Sequence, residues 1–248
     1  MKVLVCISHV PDTTSKINFT NNNQEFDTNG IQYVINPYDE FCLTRAIWLQ
    51  EKQGAEVTVL TVGKADVEPT LRKALAIGAN DAIRIDTEPV DAFNVASQIA
   101  AVVKENEYDL VLAGRESIDY NGGQVPGLLA GMLNWPFVNA CLGLEVADGK
   151  AHLVREIDGG KEKLTASLPI IVAGQKGLVE ESDLKIPNMR GIMQARSKPL
   201  NVREATDAPV KTTVGSFEKP APKGDVKMID AENVDELVRL LHDEAKVI

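Results

Sequence analysis

The sequence predicts an α/β fold: a parallel sheet flanked by helices, with antiparallel hairpin additions and an extended C-terminal arm. Three observations carry this. Near-continuous apolar runs of strand length recur through the first half of the chain, as strands buried on both faces require. Stretches with apolar residues at helical spacing separate them, the alternation that builds a parallel sheet. Beyond Pro136 the pattern changes to short runs joined by Asp148-Gly149 and Asp158-Gly159-Gly160, which suit hairpin turns.

The first strand is predicted over 3–7 (VLVCI). A long loop follows, its Pro11 and Asp12 suited to a turn. Asn36-Pro37 punctuates the chain before a helix over 39–53, where Cys42, Leu43, Ala46, Ile47 and Leu49 lie close to one face. Residues 57–62 form a second buried strand. A helix over 67–77 is stopped by Gly78, and 82–85 supplies a third strand. A helix over 93–103 leads to a fourth strand, 110–113, closed by Gly114. After a loop, Val125, Leu128, Leu129, Met132 and Leu133 recur at helical spacing, so another helix follows. Short strands are expected over 142–146, 151–156 and 162–166, and 168–173 returns to the main sheet. Past it the helical signal is weak, and Pro187, Pro199, Pro209, Pro220 and Pro222 punctuate an irregular stretch. A helix over 234–241, with Asp230 or Asn233 as its cap, closes the chain. The organisation is therefore a body, 1–200, and an arm with its helix, 201–248.

Composition excludes several classes of function. At 248 residues, 44% of them apolar and 25% charged, the chain can bury a sizeable core and reads as a soluble globular protein. A net charge of −10 argues against nucleic acid and against anionic membrane surfaces as main partners. No run of about 18 apolar residues exists, so direct membrane insertion is not expected. The opening MKVLVCIS passes straight into strand pattern without a signal-peptide cleavage site, and Cys6, Cys42 and Cys141 are odd in number and far apart. These features predict an intracellular protein in a reducing compartment. The three histidines, His9, His152 and His242, lie near no serine or cysteine elbow, and no cluster has metal-ligand spacing. A nucleotide-type fold without acid, base or metal points to binding or electron carriage, with the chemistry in a cofactor.

The stretch that organises the chain is the loop between the fourth strand and its helix. It reads Gly114, Arg115, Glu116, Ser117, Ile118, Asp119, Tyr120, Asn121, Gly122, Gly123, Gln124 and enters the helix at Val125. Asp119, Asn121 and the two glycines lie where the backbone must turn sharply and can approach a ligand closely. A strand, a small-residue loop and a helix N-terminus together present N–H groups to an anion, usually a phosphate. The Gly-x-Gly-x-x-Gly and Gly-Lys-Ser/Thr fingerprints are both absent, so spacing alone also fits an ordinary βα turn.

A specific resemblance lies in LVREIDGGKEKLTASLPIIVA, residues 153–173. Arg155 precedes the Asp158-Gly159-Gly160 turn, and Glu162, Leu164, Pro169 and the run Ile171-Val172-Ala173 follow at fixed intervals. This resembles the signature of the electron transfer flavoprotein β subunit, with Leu153 standing where a smaller or β-branched residue is usual. VLVCISHV at the start, INPYDE at 35–40, LRKALAIGAN at 71–80, GRESID at 114–119 and RGIMQARSKPL at 190–200 agree with it in order. The resemblance implies an adenine-nucleotide α-hydrolase-like (Rossmann-like) domain. It also implies a heterodimer with a larger α subunit that holds most of one FAD. Such heterodimers accept electrons from acyl-CoA and other flavin dehydrogenases and pass them to a membrane quinone oxidoreductase. The setting would be cytoplasmic, or the mitochondrial matrix in a eukaryote.

By matched position, the resemblance implies a structural AMP held by Cys6, Asn36, Pro37, Tyr38, Asp39, Val62 and residues 114–125. Asp12, Thr13 and Tyr38 would approach the FAD from the β side. A bifurcating branch of the family instead holds a second FAD in this pocket and oxidises NADH. That branch usually follows the aspartate with Gly-Asp-Thr, where this chain has Tyr120-Asn121-Gly122. The wider resemblance to adenine-nucleotide α-hydrolase-like domains leaves an ATP-using enzyme as a reading from a different class, with Ser8 and Lys16 near the first strand. A loop over 183–193 would dock dehydrogenases, anchored by Met189 with Ile186 as the second choice. Ile192 and Met193 are expected to face the core.

Overall fold

The computed structural model describes all 248 residues, and the main sheet is a nine-stranded mixed sheet with helices on both faces. Strand β1 (Lys2–Cys6) is buried at four of its five residues, as its apolar run requires. The stretch that follows carries short strands: β2 (His9–Pro11), β3 (Phe19–Thr20), β4 (Glu25–Phe26) and β5 (Tyr33–Ile35). β2 pairs with β5 and β3 with β4, so the segment expected as one long loop is two small antiparallel ribbons. The β3–β4 turn carries Asn21, Asn22 and Asn23 all at positive φ (48°, 54° and 61°), which Asn tolerates better than other residues with side chains.

Helix α1 (Pro37–Gln53) starts with a proline in its first turn and ends on Gly54 in the left-handed conformation. β6 (Glu56–Val62), α2 (Glu68–Ile77), β7 (Asp81–Asp86), α3 (Ala92–Glu105), β8 (Leu110–Gly114) and α4 (Val125–Leu133) then alternate. β9 (Phe137–Ala147), β10 (Lys150–Ile157) and β11 (Gly160–Ser167) form an antiparallel meander, longer than the sequence suggests. β12 (Ile170–Gly174) returns to the parallel body. A seven-residue helix, α5 (Met189–Ala195), and a strand, β13 (Leu200–Glu204), follow. The terminal helix α6 (Val234–Arg239) is capped by Asn233, whose side chain accepts from the Glu236 amide.

The strand order is β11-β10-β9-β12-β8-β1-β6-β7-β13. β9 joins the two regimes. Its first half runs parallel to β12, its second antiparallel to β10, and the register shifts beside Ala140, which sits at φ 52°. β13 adds parallel to β7 at the far edge. The sequence reading missed it because LNVRE is half polar, as an edge strand can be.

Successive residues of β1 point to opposite faces. Val3 and Val5 enter a core with α1 and α2, while Leu4 and Cys6 enter a second with α3 and α4. Each Leu or Val buried this way contributes roughly 1.5–3 kcal/mol. The arm differs, for Val226, Met228, Val234, Leu237, Val238, Val247 and Ile248 are all exposed. No helix is long and apolar enough to cross a membrane.

Candidate functional site

The strand order reverses between β1 and β8. From β1 the chain builds outward through β6 and β7, then crosses back to β8 and builds the other way. Such a switch point leaves a crevice at the carboxyl ends of the two strands. Two side chains from the start of α1 bridge it. Asp39 accepts the Ser8 amide on Oδ2 and the Gly114 amide on Oδ1, both at 2.7 Å. Asn36 donates from Nδ2 to the Glu116 carbonyl at 2.9 Å and accepts the Ile118 amide at 3.3 Å. Asn36 stands at the N-cap of α1, yet its side chain caps nothing and is spent on the loop after β8. Gly114 is required here, since a Cβ would lie 2.5 Å from Asp39 Oδ1 and 2.7 Å from Tyr38 Cβ.

Beside this brace, Arg115 donates to Gln175 Oε1 at 2.9 Å and lies 5.9 Å from the Tyr38 ring centroid. Gln175 in turn donates to Glu156, so the end of β12 fixes the arginine. Cys6 and Val62, at the ends of β1 and β6, are buried in the core shared with α3 and α4. Burial pushes the Cys6 thiol up to about 12, with Asp39 adding to the shift, so this sulfur stays protonated and unreactive at neutral pH.

Burial also raises Asp39 from 3.8 to about 7, against the lowering effect of the Ser8, Gly114 and Asn36 hydrogen bonds. The sign of the linkage follows. Between those two values the folded chain keeps a proton that the unfolded chain has released, so stability falls as pH rises through that window and levels off above it. The full effect is on the order of 4 kcal/mol. Asp39→Asn should flatten this slope while leaving one of the two amides without its acceptor. Denaturant unfolding at pH 4.5, 6 and 7.5 checks it, and an unchanged slope in the variant would refute the assignment.

The rim is the loop 119–124, all exposed. Positive φ falls on Asn121 (50°) rather than on Gly122 or Gly123, so the sharp turn expected of the glycines is made by their neighbour. Ser117 and Gly122 exchange backbone hydrogen bonds that close the loop. Gly123 is needed for close approach, since a Cβ would sit 3.0 Å from the Arg115 carbonyl. The amides of Gly123, Gln124 and Val125 have no acceptor, and no side chain caps α4. That is a set of donors at a helix N-terminus, joined by one loop to the carboxyl end of β8.

The family model of the electron transfer flavoprotein domain matches residues 25–208. The chain is 35% identical to electron transfer flavoprotein subunit beta of Bacillus subtilis over the full length of both. It is 30% identical to the human subunit beta over all of this chain and 99% of that one. The Syntrophomonas wolfei subunit beta is 35% identical over 90% of this chain and 87% of its own. This chain belongs to the electron transfer flavoprotein β-subunit family.

Within that family membership, the structure brings Cys6, Val62 and Gly114 to the carboxyl ends of β1, β6 and β8, ties Asn36 and Asp39 to the loop and strand end at 114–118, and leaves 119–124 exposed before α4. It places Met189 and Ile186 elsewhere, on and before α5, which packs against α2. Met189 and Ile186 are 77% and 79% exposed. The expectation that Ile192 and Met193 face the core is corrected, for they are 43% and 69% exposed and only Ala195 of α5 is buried. A seven-residue helix has too few turns for its apolar spacing to reveal which side packs. The sequence reading also missed Gln175. Parallel register was its signal, because Gly174 pairs with Gly114 and the residues that follow the two strands are therefore neighbours.

Proposed function

We propose that this chain is the β subunit of a heterodimeric electron transfer flavoprotein, with an AMP held structurally in the crevice between β1 and β8. FAD, which the α subunit would mostly hold, would supply the redox chemistry by which the heterodimer accepts electrons from acyl-CoA and other flavin dehydrogenases and delivers them to a quinone oxidoreductase. This chain's residues bind and orient. The unpaired amides of Gly123, Gln124 and Val125 would receive the phosphate, while Asn36 and Asp39 hold the crevice walls at fixed separation. Tyr38 and the Asp12–Thr13 turn, where Asp12 accepts the Thr14 amide at 2.8 Å, would border the FAD. The exposed face of α5 would dock dehydrogenases through Met189, and the arm beyond 200 would contact the α subunit.

The brace by Asp39 is the single observation that supports this most. It spends the one buried carboxylate of the crevice on two backbone amides, leaving a binding site whose polar groups are already committed to shape. A second FAD in the same pocket is less favoured because Tyr120-Asn121-Gly122 stands where that branch usually carries Gly-Asp-Thr.

Co-expression with the α subunit, followed by mass spectrometry of nucleotides released on denaturation, tests the reading. One AMP and one FAD per heterodimer are expected from the wild type. Gly123→Val should lose AMP and lower the melting temperature, since a bound ligand stabilises by mass action. Full AMP content in that variant would refute the placement of the phosphate.

A further inference from the structure

The arm has a proximal part, 205–219, with a different fate from the rest. It leaves β13 and is tied first to α3. The Thr206 amide and hydroxyl donate to Gln98 Oε1 at 2.9 and 3.1 Å, and Gln98 donates back to the Thr206 carbonyl at 2.8 Å. Asp91 caps α3 with one oxygen, accepting the Asn94 amide, and with the other accepts the amides of Lys211 and Thr212. The arm then reaches the β3–β4 ribbon, where the Phe217 amide donates to the Asn23 carbonyl at 2.7 Å. The Phe217 ring stacks on Phe19 at 4.8 Å, 6° from parallel, and faces Tyr120 at 6.4 Å and 30°.

These anchors belong to segments that follow β7 and β1, and Tyr120 to the loop that follows β8. All three leave the sheet at the carboxyl ends of its strands, so 205–219 crosses the mouth of the crevice. We propose that this segment is a strap completing the nucleotide site. Phe217, seated on Phe19, packs on Tyr120 and holds the 117–123 loop down on the bound phosphate. The nucleotide then leaves only when the strap lifts. The inference rests on the AMP reading above and adds a residue to it. Two features support closure over mere packing. Tyr120 is 66% exposed and finds its only ring neighbour in the strap. The Phe217 amide also ties the strap to the Asn23 carbonyl of the β3–β4 turn, so the ring is held by backbone and by its stack on Phe19 together.

The test uses the co-expressed heterodimer carrying wild-type β, Phe217→Ala or the conservative Phe217→Tyr. Amide hydrogen exchange over 117–123 reads loop closure with or without ligand. Release of isotopically labelled AMP into an excess of unlabelled AMP reads retention. Phe217→Ala should raise exchange in 117–123, leave β1 and β8 protected, and speed AMP release roughly three- to tenfold, the range of an aromatic pair. Phe217→Tyr should keep wild-type values for both. Unchanged exchange in Phe217→Ala overturns the strap, and so does raised exchange with wild-type release. A wild-type complex that neither contains nor binds AMP refutes the nucleotide reading instead, and exchange alone then decides the strap.

Discussion

Gly114→Ala should abolish nucleotide retention and cost the protein about 3 kcal/mol or more of stability. Two losses add. The new methyl would lie 2.5 Å from Asp39 Oδ1, 2.7 Å from Tyr38 Cβ and 3.0 Å from Asn36 Nδ2, none of which is a flexible chain end. Overpacking of this kind costs about 1–3 kcal/mol. The displaced carboxylate also loses its bond to the Gly114 amide, a charged-group hydrogen bond of roughly 1.5–3 kcal/mol. Gly122→Ala is the control, since its Cβ would meet nothing within 4 Å and its φ is not positive. Guanidinium unfolding midpoints and nucleotide content of the two variants give the answer. Equal behaviour of Gly114→Ala and Gly122→Ala would remove the brace from the account of the site.

Met189→Ala should weaken electron acceptance from a cognate dehydrogenase well over roughly tenfold at subsaturating protein, with FAD content and redox behaviour normal. Truncating a buried anchor typically costs about 2 kcal/mol or more of binding. The expectation depends on the rigidity of α5. Gly191 lets the helix lie on α2, because a Cβ there would be 2.2 Å from the Ala76 carbonyl. Asn188 caps its start, accepting the Gly191 amide at 2.8 Å. Arg72 closes its end by donating to the carbonyls of Ala195 and Lys198. Met189 and Met193, four residues apart, thus stand out from one fixed helix as adaptable apolar side chains, which suits several docking partners. Stopped-flow reduction of wild type, Met189→Ala and Ile186→Ala decides it. Wild-type rates in both variants would place docking elsewhere.

The parallel body was legible because strands buried on both faces read as unbroken apolar runs, and β1, β6, β8 and β12 are such runs. The crevice was legible because ligands gather at the ends of those strands, where Cys6, Asn36 and Gly114 stand. What joins the strand ends was not legible. Nothing in the spacing of Asp39 indicates that its two oxygens hold Ser8 and Gly114, 31 and 75 residues away. Gln175 reaching Arg115 and Asp91 reaching Lys211 are hidden for the same reason, being side-chain choices fixed only once the sheet has ordered. The face of α5 and the edge strand β13 were lost to brevity and mixed polarity.

The distal arm carries a consequence for how the protein is made. Val226, Met228, Val234, Leu237, Val238, Val247 and Ile248 stay exposed when the rest of the chain has folded. If the α subunit covers this tail as proposed, a copy synthesised without it displays an adhesive tail on a finished body, the kind of surface that chaperones and proteases act on. Supply of this subunit should track supply of its partner, because the surplus marks itself for removal.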